Sequence, residues 1–282
     1  MKQFFYQIIY NRYINYLLRN FFKLFSNTIG KKIKPIPVSG LINININNKR
    51  IKLLTNQTSY VSYLIYYNGP ENFEYTRIFI ELIKRVQTFY DIGANIGYYS
   101  LLAFKFNPNV KIRSFEPANG CFYYLNNNIQ LNKAHNIRIE KLAISDIIGT
   151  ISFNEVNNAK YKYLKYNLSG EGNISKQNSP KKFIINNVAT TTLSEYFKND
   201  TEEKIDLIKI DTEGNEYEIL SNSFDILNKQ KPIVICETLF NNNENKFDEL
   251  FSSFGYNIYN HINGKLFKTK SIQRLKDDFI RD

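Results

Sequence analysis

VQTFYDIGANIGYYS, residues Val86 to Ser100, passes from a short apolar β-forming run, Val86 to Ile92, through a glycine-bearing turn into a helical pattern over Tyr98 to Phe106. The alternation continues outward on both sides. Upstream, Glu74 to Arg85 has apolar residues at helical spacing. Downstream come a strand over Lys111 to Phe115 ending in Glu116, a helix over Gly120 to Leu131 and a strand over Ile137 to Ile144. Thr150 to Phe153 and Val188 to Thr191 read as extended, Leu193 to Phe197 as a short helix and Ile205 to Ile210 as a buried strand. Glu216 to Leu227 is helical, Ile233 to Cys236 a further buried strand and Asn245 to Phe254 a closing helix. Asn257 to Tyr259 and Lys265 to Lys268 flank Asn263-Gly264, a hairpin signal. Strands that alternate with helices predict an α/β fold of Rossmann type, its sheet mostly parallel with one antiparallel strand from the C-terminal hairpin.

Before this body, MKQFFYQIIYNRYINYLLRNFFKLF reads as an N-terminal helix interrupted by Arg12, Arg19 and Lys23. Those charges argue against a membrane-spanning helix, and no apolar core followed by small residues suggests a signal peptide. Two readings stay open: the helix packs on the domain or a partner subunit, or it lies in a membrane interface with its cations at the headgroups. Ile42 to Ile46 and Ile51 to Leu54 surround Asn47 to Arg50 as a hairpin. The expected division is an accessory segment, 1–35, and a main domain, 36–282. Within that domain 36–73 is an accessory hairpin, and 157–182, rich in Asn, Ser, Lys and Gly, is a loop or lid.

The 282 residues include 43% hydrophobic and 15% aromatic residues, enough to bury a core. A net charge of +11 suits nucleic acid or an anionic surface. Lys, Asn, Ile, Tyr and Phe are all abundant and Trp is absent, the bias of an A/T-rich coding sequence, so the charge reads as a solubility term and no nucleic-acid partner is expected. Cys121 and Cys236 form no CxxC pattern, which fits a reducing, cytoplasmic setting. With only His135 and His261, a histidine metal site or a Ser-His-Asp triad is not expected, and no metal is assigned.

The turn Asp91-Ile92-Gly93-Ala94-Asn95-Ile96-Gly97 lets a ligand approach the backbone, and the helix start behind it offers amide donors. In dinucleotide enzymes such donors meet a pyrophosphate and the turn reads GxGxxG. Here an acid opens it. A carboxylate at Asp91 repels a pyrophosphate but suits a cationic ligand, and S-adenosylmethionine carries both an amino group and a sulfonium. Glu116 ends the next strand, where an acid can accept both ribose hydroxyls. A turn former at Asp91 and a solvated strand end at Glu116 are the structural alternatives.

These residues, with SFEPANGCFYYLNNNIQLN (Ser114 to Asn132), KLAISDIIGTISF (Lys141 to Phe153), TTLSEYF (Thr191 to Phe197), IDLIKIDTEGNEYEIL (Ile205 to Leu220) and KPIVICE (Lys231 to Glu237), resemble the FkbM family of methyltransferases. The resemblance implies a Rossmann-like methyltransferase that uses S-adenosylmethionine, acting mostly on hydroxyl groups of natural products or glycans. By that resemblance Asp91, Gly93, Ala94, Asn95 and Gly97 surround the methionine end and Glu116 binds the ribose. Phe115 and Pro117 flank that acid, and Ala143, Ser145 and Asp146 follow the third strand, where such folds place adenine contacts, Asp146 reading equally well as a turn residue before Gly149.

Asp211 and Glu213 follow a buried strand at its carboxyl end, where open α/β sheets bind ligands, and Glu237 ends the next strand. They are the candidate catalytic residues facing the methyl acceptor, one of them a general base or an orienting group. For Glu213 a charge at a helix start is the alternative. A sugar, glycan or glycolipid-precursor hydroxyl is the acceptor the resemblance implies. Three rivals remain: a short-chain dehydrogenase, from the YxxxK match Tyr161 to Lys165, a nucleic-acid methyltransferase, from the charge alone, and a non-enzymatic binding or membrane-associated protein, from the N-terminal helix.

Overall fold

The computed structural model describes residues 1–29, 35–157, 159–168, 182–201, 204–238, 243–262 and 264–272. Two helices, α1 (Lys2–Ile9) and α2 (Arg12–Ile29), precede a hairpin of β1 (Gly40–Ile46) and β2 (Lys49–Thr55). Helices α3 (Tyr60–Asn68) and α4 (Thr76–Ile83) lead into β3 (Thr88–Ile92), α5 (Tyr98–Phe106), β4 (Lys111–Phe115), α6 (Asn119–Asn132) and β5 (Ile137–Glu140). Then follow β6 (Ala143–Ile144), β7 (Gly149–Asn157), β8 (Lys182–Thr191), α7 (Leu193–Lys198), β9 (Leu207–Ile210) and α8 (Glu216–Ser221). The chain continues with β10 (Ile233–Cys236), α9 (Glu244–Ser253) and a last hairpin, β11 (Ile258–Ile262) with β12 (Lys265–Thr269).

The main sheet has the order β10-β9-β3-β4-β5 and every pairing in it is parallel. The chain enters at the centre with β3, winds out to β5, then crosses back to β9 and β10. The direction of winding therefore reverses between β3 and β9, and a crevice opens at the carboxyl ends of the strands at such a point. Alternate residues serve opposite faces. Phe89, Ile112 and Leu207 pack toward α4 and α5, whereas Tyr90, Ile92, Ile208 and Ile210 pack toward α7, α8 and α9. This is the Rossmann-like architecture expected from the alternation of strands and helices. The C-terminal β11–β12 hairpin is antiparallel and forms a two-stranded sheet of its own.

The β1–β2 hairpin turns at Asn47-Asn48, both with positive φ (44° and 61°), a conformation asparagine tolerates. Its inward residues Ile42, Ile44, Ile51 and Leu53 are buried in the same core as Phe89 and Leu101. Helix α6 holds its edge. Asn128 accepts from Leu54 N–H at 2.6 Å and donates to Leu54 C=O at 3.1 Å, and Asn132 does the same to Lys52 at 2.9 and 2.6 Å. The geometry matches because four helical residues rise about 6 Å and two strand residues about 6.6 Å. Within 36–73 the structure adds α3, whose start is capped by Ser59 accepting from Ser62 N–H.

Strands β7 and β8 pair antiparallel over Gly149 to Asn157 and, with β6, make a second small sheet beside the crevice. They extend well beyond the short extended stretches read from sequence. Of the expected loop or lid 157–182, residues 158 and 169–181 lie outside the described residues, as does Asn263 of the last turn. The expected N-terminal helix is two, broken at Tyr10 and Asn11. Helix α2 docks on the hairpin through polar groups: Asn15 donates to Pro37 C=O and accepts from Ser39 N–H, and Arg19 donates to Ser39 and Leu41 carbonyls.

Candidate active site

At the carboxyl ends of β3, β4 and β9 lies a cleft of about 270 Å³. Its floor is the turn after β3. Gly93 has φ +76°, and a Cβ there would sit 1.8 Å from Asp211 C=O, so only glycine lets the ends of β3 and β9 come this close. Gly97, φ +89°, would drive a Cβ to 2.6 Å from the Leu125 side chain of α6. The turn is internally satisfied. Gly93 and Ala94 N–H both donate to Phe115 C=O, Asn95 N–H to Glu116 Oε2, Ile96 N–H to Asn95 Oδ1 and Gly97 N–H to Ala94 C=O. The amides of the turn itself, Gly93 to Gly97, are thus already engaged.

Glu116 is buried, its Oε2 bonded to Asn95 N–H at 2.8 Å and its Oε1 to Ala118 N–H at 2.9 Å. Burial pushes its carboxyl up to about 7, against the pull of those two donors and of Lys209. Each oxygen keeps a second acceptor position. Pro117, Leu142, Ala143, Ile151 and Phe153 line the same cleft and give it an apolar wall.

Beneath the floor sits Asp91, fully buried. Its Oδ2 accepts from Ser100 Oγ at 2.5 Å, and its Oδ1 has no hydrogen bond, the Lys209 ammonium lying 3.6 Å away. Burial raises its pKa, while Lys209 and Ser100 oppose the rise. Lys209 projects from the buried strand β9, donates to Gly93 C=O at 2.9 Å and lies 3.5 Å from Asp211 Oδ2. Burial alone would depress the ammonium, but Asp211, Asp91, Glu74 and Glu237 outweigh it and hold its pKa above the ordinary value. The lysine therefore ties β3 to β9 electrostatically directly under the cleft.

The far end of the cleft is acidic: Glu74, Asp211, Glu213 and Glu237 all line it. Glu213 sits at φ +61° in the loop after β9. That loop is held by Glu216, a buried residue of α8, whose Oε1 accepts from Thr212 N–H, Thr212 Oγ and Gly214 N–H at 2.6, 2.9 and 3.1 Å. Asp211, Glu216 and Glu237 each bring one carboxylate oxygen within 4.8 Å of the others, the one such acidic group among the described residues. In this group Glu216 spends its Oε1 on the loop, and the Lys209 ammonium lies 3.5 Å from Asp211 Oδ2.

Of the residues singled out from sequence, the cleft brings together Gly93, Asn95, Glu116, Pro117, Ala143, Asp211, Glu213 and Glu237. Asp91, Ala94, Gly97 and Asp146 are not on its wall. Asp91 faces α5 beneath the floor, so it reaches the cleft only through Lys209 and Gly93. Asp146 is exposed beyond the rim, accepting from Ser145 Oγ. Sequence reasoning passed over Lys209, Glu216 and Asn215. A lysine flanked by Ile208 and Ile210 in a buried strand was the available signal. The YxxxK stretch is not at the cleft: Tyr161 packs edge-on to Tyr6 and Tyr10 of the N-terminal segment, and Lys165 lies over the ring of Tyr166. Asn167 and Leu168, from the described part of the expected lid, do line it.

The family model of the methyltransferase FkbM domain matches residues 91–261, from the cleft floor through the last strands. The chain belongs to this family. The site fits the S-adenosylmethionine that this family uses: Glu116 offers an acceptor carboxylate, and Pro117, Leu142, Ala143, Ile151 and Phe153 make an apolar wall. A similar curated protein is methyltransferase sdnD of Sordaria araneosa, 29% identical over 152 residues, which are 46% of this chain. The chain spans 58% of that relative's length. Similar solved structures include a human methyltransferase 10 domain containing protein (14% identity, 73% of this chain and 89% of that one, TM-score 0.43). Others are the precorrin-6y C5,15-methyltransferase of Geobacter metallireducens GS-15 (13%, 70% and 82%, 0.40) and the N-terminal domain of human METTL16 in complex with SAH (15%, 77% and 69%, 0.38). The expectation that nucleic acid is no partner does not stand; METTL16 methyltransferase domains recur among the similar structures at 14–16% identity and TM-scores of 0.37–0.40, a likeness that names no partner for this chain.

Proposed function

We propose that this FkbM methyltransferase methylates a hydroxyl on a sugar, glycan or glycolipid precursor in the cytoplasm. The acid-lined end of the cleft carries this reading: Glu74, Asp211, Glu213 and Glu237 offer a polyol many acceptors at the place where the cofactor-binding part ends. In this reading Glu116 holds the ribose diol, Pro117 and Ala143 flank the adenine, and Gly93 and Asn95 border the methionine end. Asp91 acts from below, fixing the floor through Ser100 and Lys209.

When bound, S-adenosylmethionine supplies an electrophilic methyl group on its sulfonium. Asp211 and Glu237 would orient the acceptor hydroxyl toward that methyl, and the carboxylate nearest the hydroxyl would take its proton as the methyl leaves sulfur for oxygen, the S–C bond breaking and S-adenosylhomocysteine departing as a neutral thioether. Glu216 keeps Asp211 and Glu213 in position by fixing the loop between them. Residues 36–282 form the catalytic domain in this proposal and 1–35 an accessory segment. The test is incubation with methyl-labelled S-adenosylmethionine and separate pools of nucleotide sugars, polysaccharide and extracted glycolipids. Label released as an O-methyl sugar supports the reading; label found only in protein or in nucleic acid when those are offered defeats it.

A further inference from the structure

The N-terminal helices are amphipathic in the reverse sense. On α2 the polar stripe Asn15 and Arg19 is buried against β1, while Tyr13, Leu17, Phe21 and Leu24, spaced along one face, point outward. On α1, Gln3 faces the body, donating to Lys160 C=O and accepting from Lys162 N–H, and Phe4 and Phe5 point away. These six apolar side chains are 55% to 79% exposed. A helix that spends its polar residues on its own domain and shows its aromatic residues to solvent has an outer face made for another medium.

The charge says which medium. Residues 1–70 hold ten Lys and Arg and no Asp or Glu, so the remaining chain carries 27 of the 37 cations against all 26 acids and is nearly neutral. Four of the ten stand on α1 and α2, where Lys2, Arg12 and Lys23 are exposed and Arg19 is buried, and Lys49, Arg50 and Lys52 are exposed on β2. A second copy docking by the same face would bring two such cationic segments together, at a repulsive cost. An anionic bilayer complements both the apolar stripe and its flanking cations. No helix among the described residues is long and apolar enough to cross a membrane, so the helices lie on the surface.

We propose that the outer face of α1 and α2 docks this methyltransferase on an anionic lipid surface, beside its cleft. The connection to the cleft is short: Gln3 and Tyr6 of α1 hold the backbone of 160–162 and the Tyr163 hydroxyl, and Asn167 and Leu168 of the same stretch line the cleft. The proposal rests on the glycolipid reading only for its purpose; docking itself is tested without methyl transfer.

The experiment is flotation of the full chain with vesicles of phosphatidylcholine alone and of equimolar phosphatidylcholine and phosphatidylglycerol. The variant is Leu17→Asp with Phe21→Asp and Leu24→Asp, all at exposed positions, with S-adenosylmethionine binding by calorimetry as the control for folding. Expected are binding to the anionic vesicles, a fall of at least about tenfold in the variant with cofactor binding intact, and weakening at high salt. Three results overturn the proposal: no preference for anionic vesicles, an unchanged variant, or binding to an RNA oligonucleotide or self-association that the variant abolishes while vesicles stay unbound. A failed sugar-methylation assay alongside vesicle binding sinks the acceptor reading and leaves the docking surface standing.

Discussion

Replacing Lys209 by Met removes a charge but keeps a side chain of similar length, and the structure makes its effect calculable. The ammonium stands 3.6 Å from Asp91 and 3.5 Å from Asp211, with Lys209 and Asp91 both buried. At that separation a unit-charge pair in a protein interior with effective dielectric about 20 is worth roughly 4 kcal/mol. Removing one partner of a buried pair costs about 3 to 5 kcal/mol, because the other charge is left uncompensated. At about 2 to 4 °C per kcal/mol for a domain of this size, the melting temperature falls by roughly 6 to 20 °C. The loss depends on pH. Asp91 already has a raised folded-state pKa from burial, and without the ammonium it rises further. A carboxyl of that kind favours the fold when protonated and loses this as pH rises through its folded pKa, so Lys209→Met is less damaged at about pH 5.5 than at about pH 8. Adding Asp91→Asn removes the stranded charge and recovers most of the loss. Thermal melts at both pH values for both single variants and the double variant test this. An equal loss at the two pH values, with no recovery in the double variant, would refute an electrostatic tie between β3 and β9.

Gly93→Ala must both adopt φ +76° and displace Asp211 C=O, so it loses about 2 to 5 kcal/mol, whereas Gly255→Ala, at φ +68° with open space around it, loses only about 1. Equal melting temperatures for the two variants would remove the close approach as the reason for glycine at 93. Because burial sets the Glu116 carboxyl at about 7, cofactor affinity should weaken by up to about tenfold from about pH 8 to about pH 6 as the acceptor protonates, and Glu116→Gln should flatten this dependence. A wild-type titration already flat with pH would tell against Glu116 as the ribose acceptor. Glu216→Ala orphans three donors of the loop after β9 and should lower kcat by roughly 10- to 100-fold while changing the KM for S-adenosylmethionine little; a change confined to KM would contradict a positioning role.

The sequence was most legible where local pattern and tertiary environment agree. Lys111 to Phe115, Ile233 to Cys236 and Tyr98 to Phe106 were read with the bounds the structure has, because each strand closes on an acid at its carboxyl end and the glycine turn marks the helix start, although Ile233 to Cys236, read as buried, is a part-exposed edge strand. Ile137 to Ile144 reads as one strand but splits, since Ala143 and Ile144 leave the main sheet to pair with Thr190 and Thr191. Pairing partners leave no mark on a single strand's pattern. The extension of β7 through Asn154, Glu155 and Val156 was hidden for a related reason, mixed residues reading as loop until a partner strand is supplied. At the site, the acids after β9 and β10 could be found because strand ends of such sheets are where ligands bind. What Asp91 faces could not: its neighbours Ser100 and Lys209 are 9 and 118 positions away in sequence, and only packing puts them together. The N-terminal helices illustrate the sharpest limit, since amphipathicity shows that two faces exist but not which one turns inward.

The two asparagines that α6 lays along β2 have a consequence for the protein in concentrated solution. An uncovered outer strand presents a row of unpaired amides and carbonyls that any passing chain can extend, the first step toward fibrils and swapped assemblies. Asn128 and Asn132 occupy both backbone groups of Leu54 and of Lys52, the positions from which such growth would start. A helix here does the work of a terminal strand on the β2 side while offering no ladder of its own, so that edge of the hairpin is closed to a passing chain.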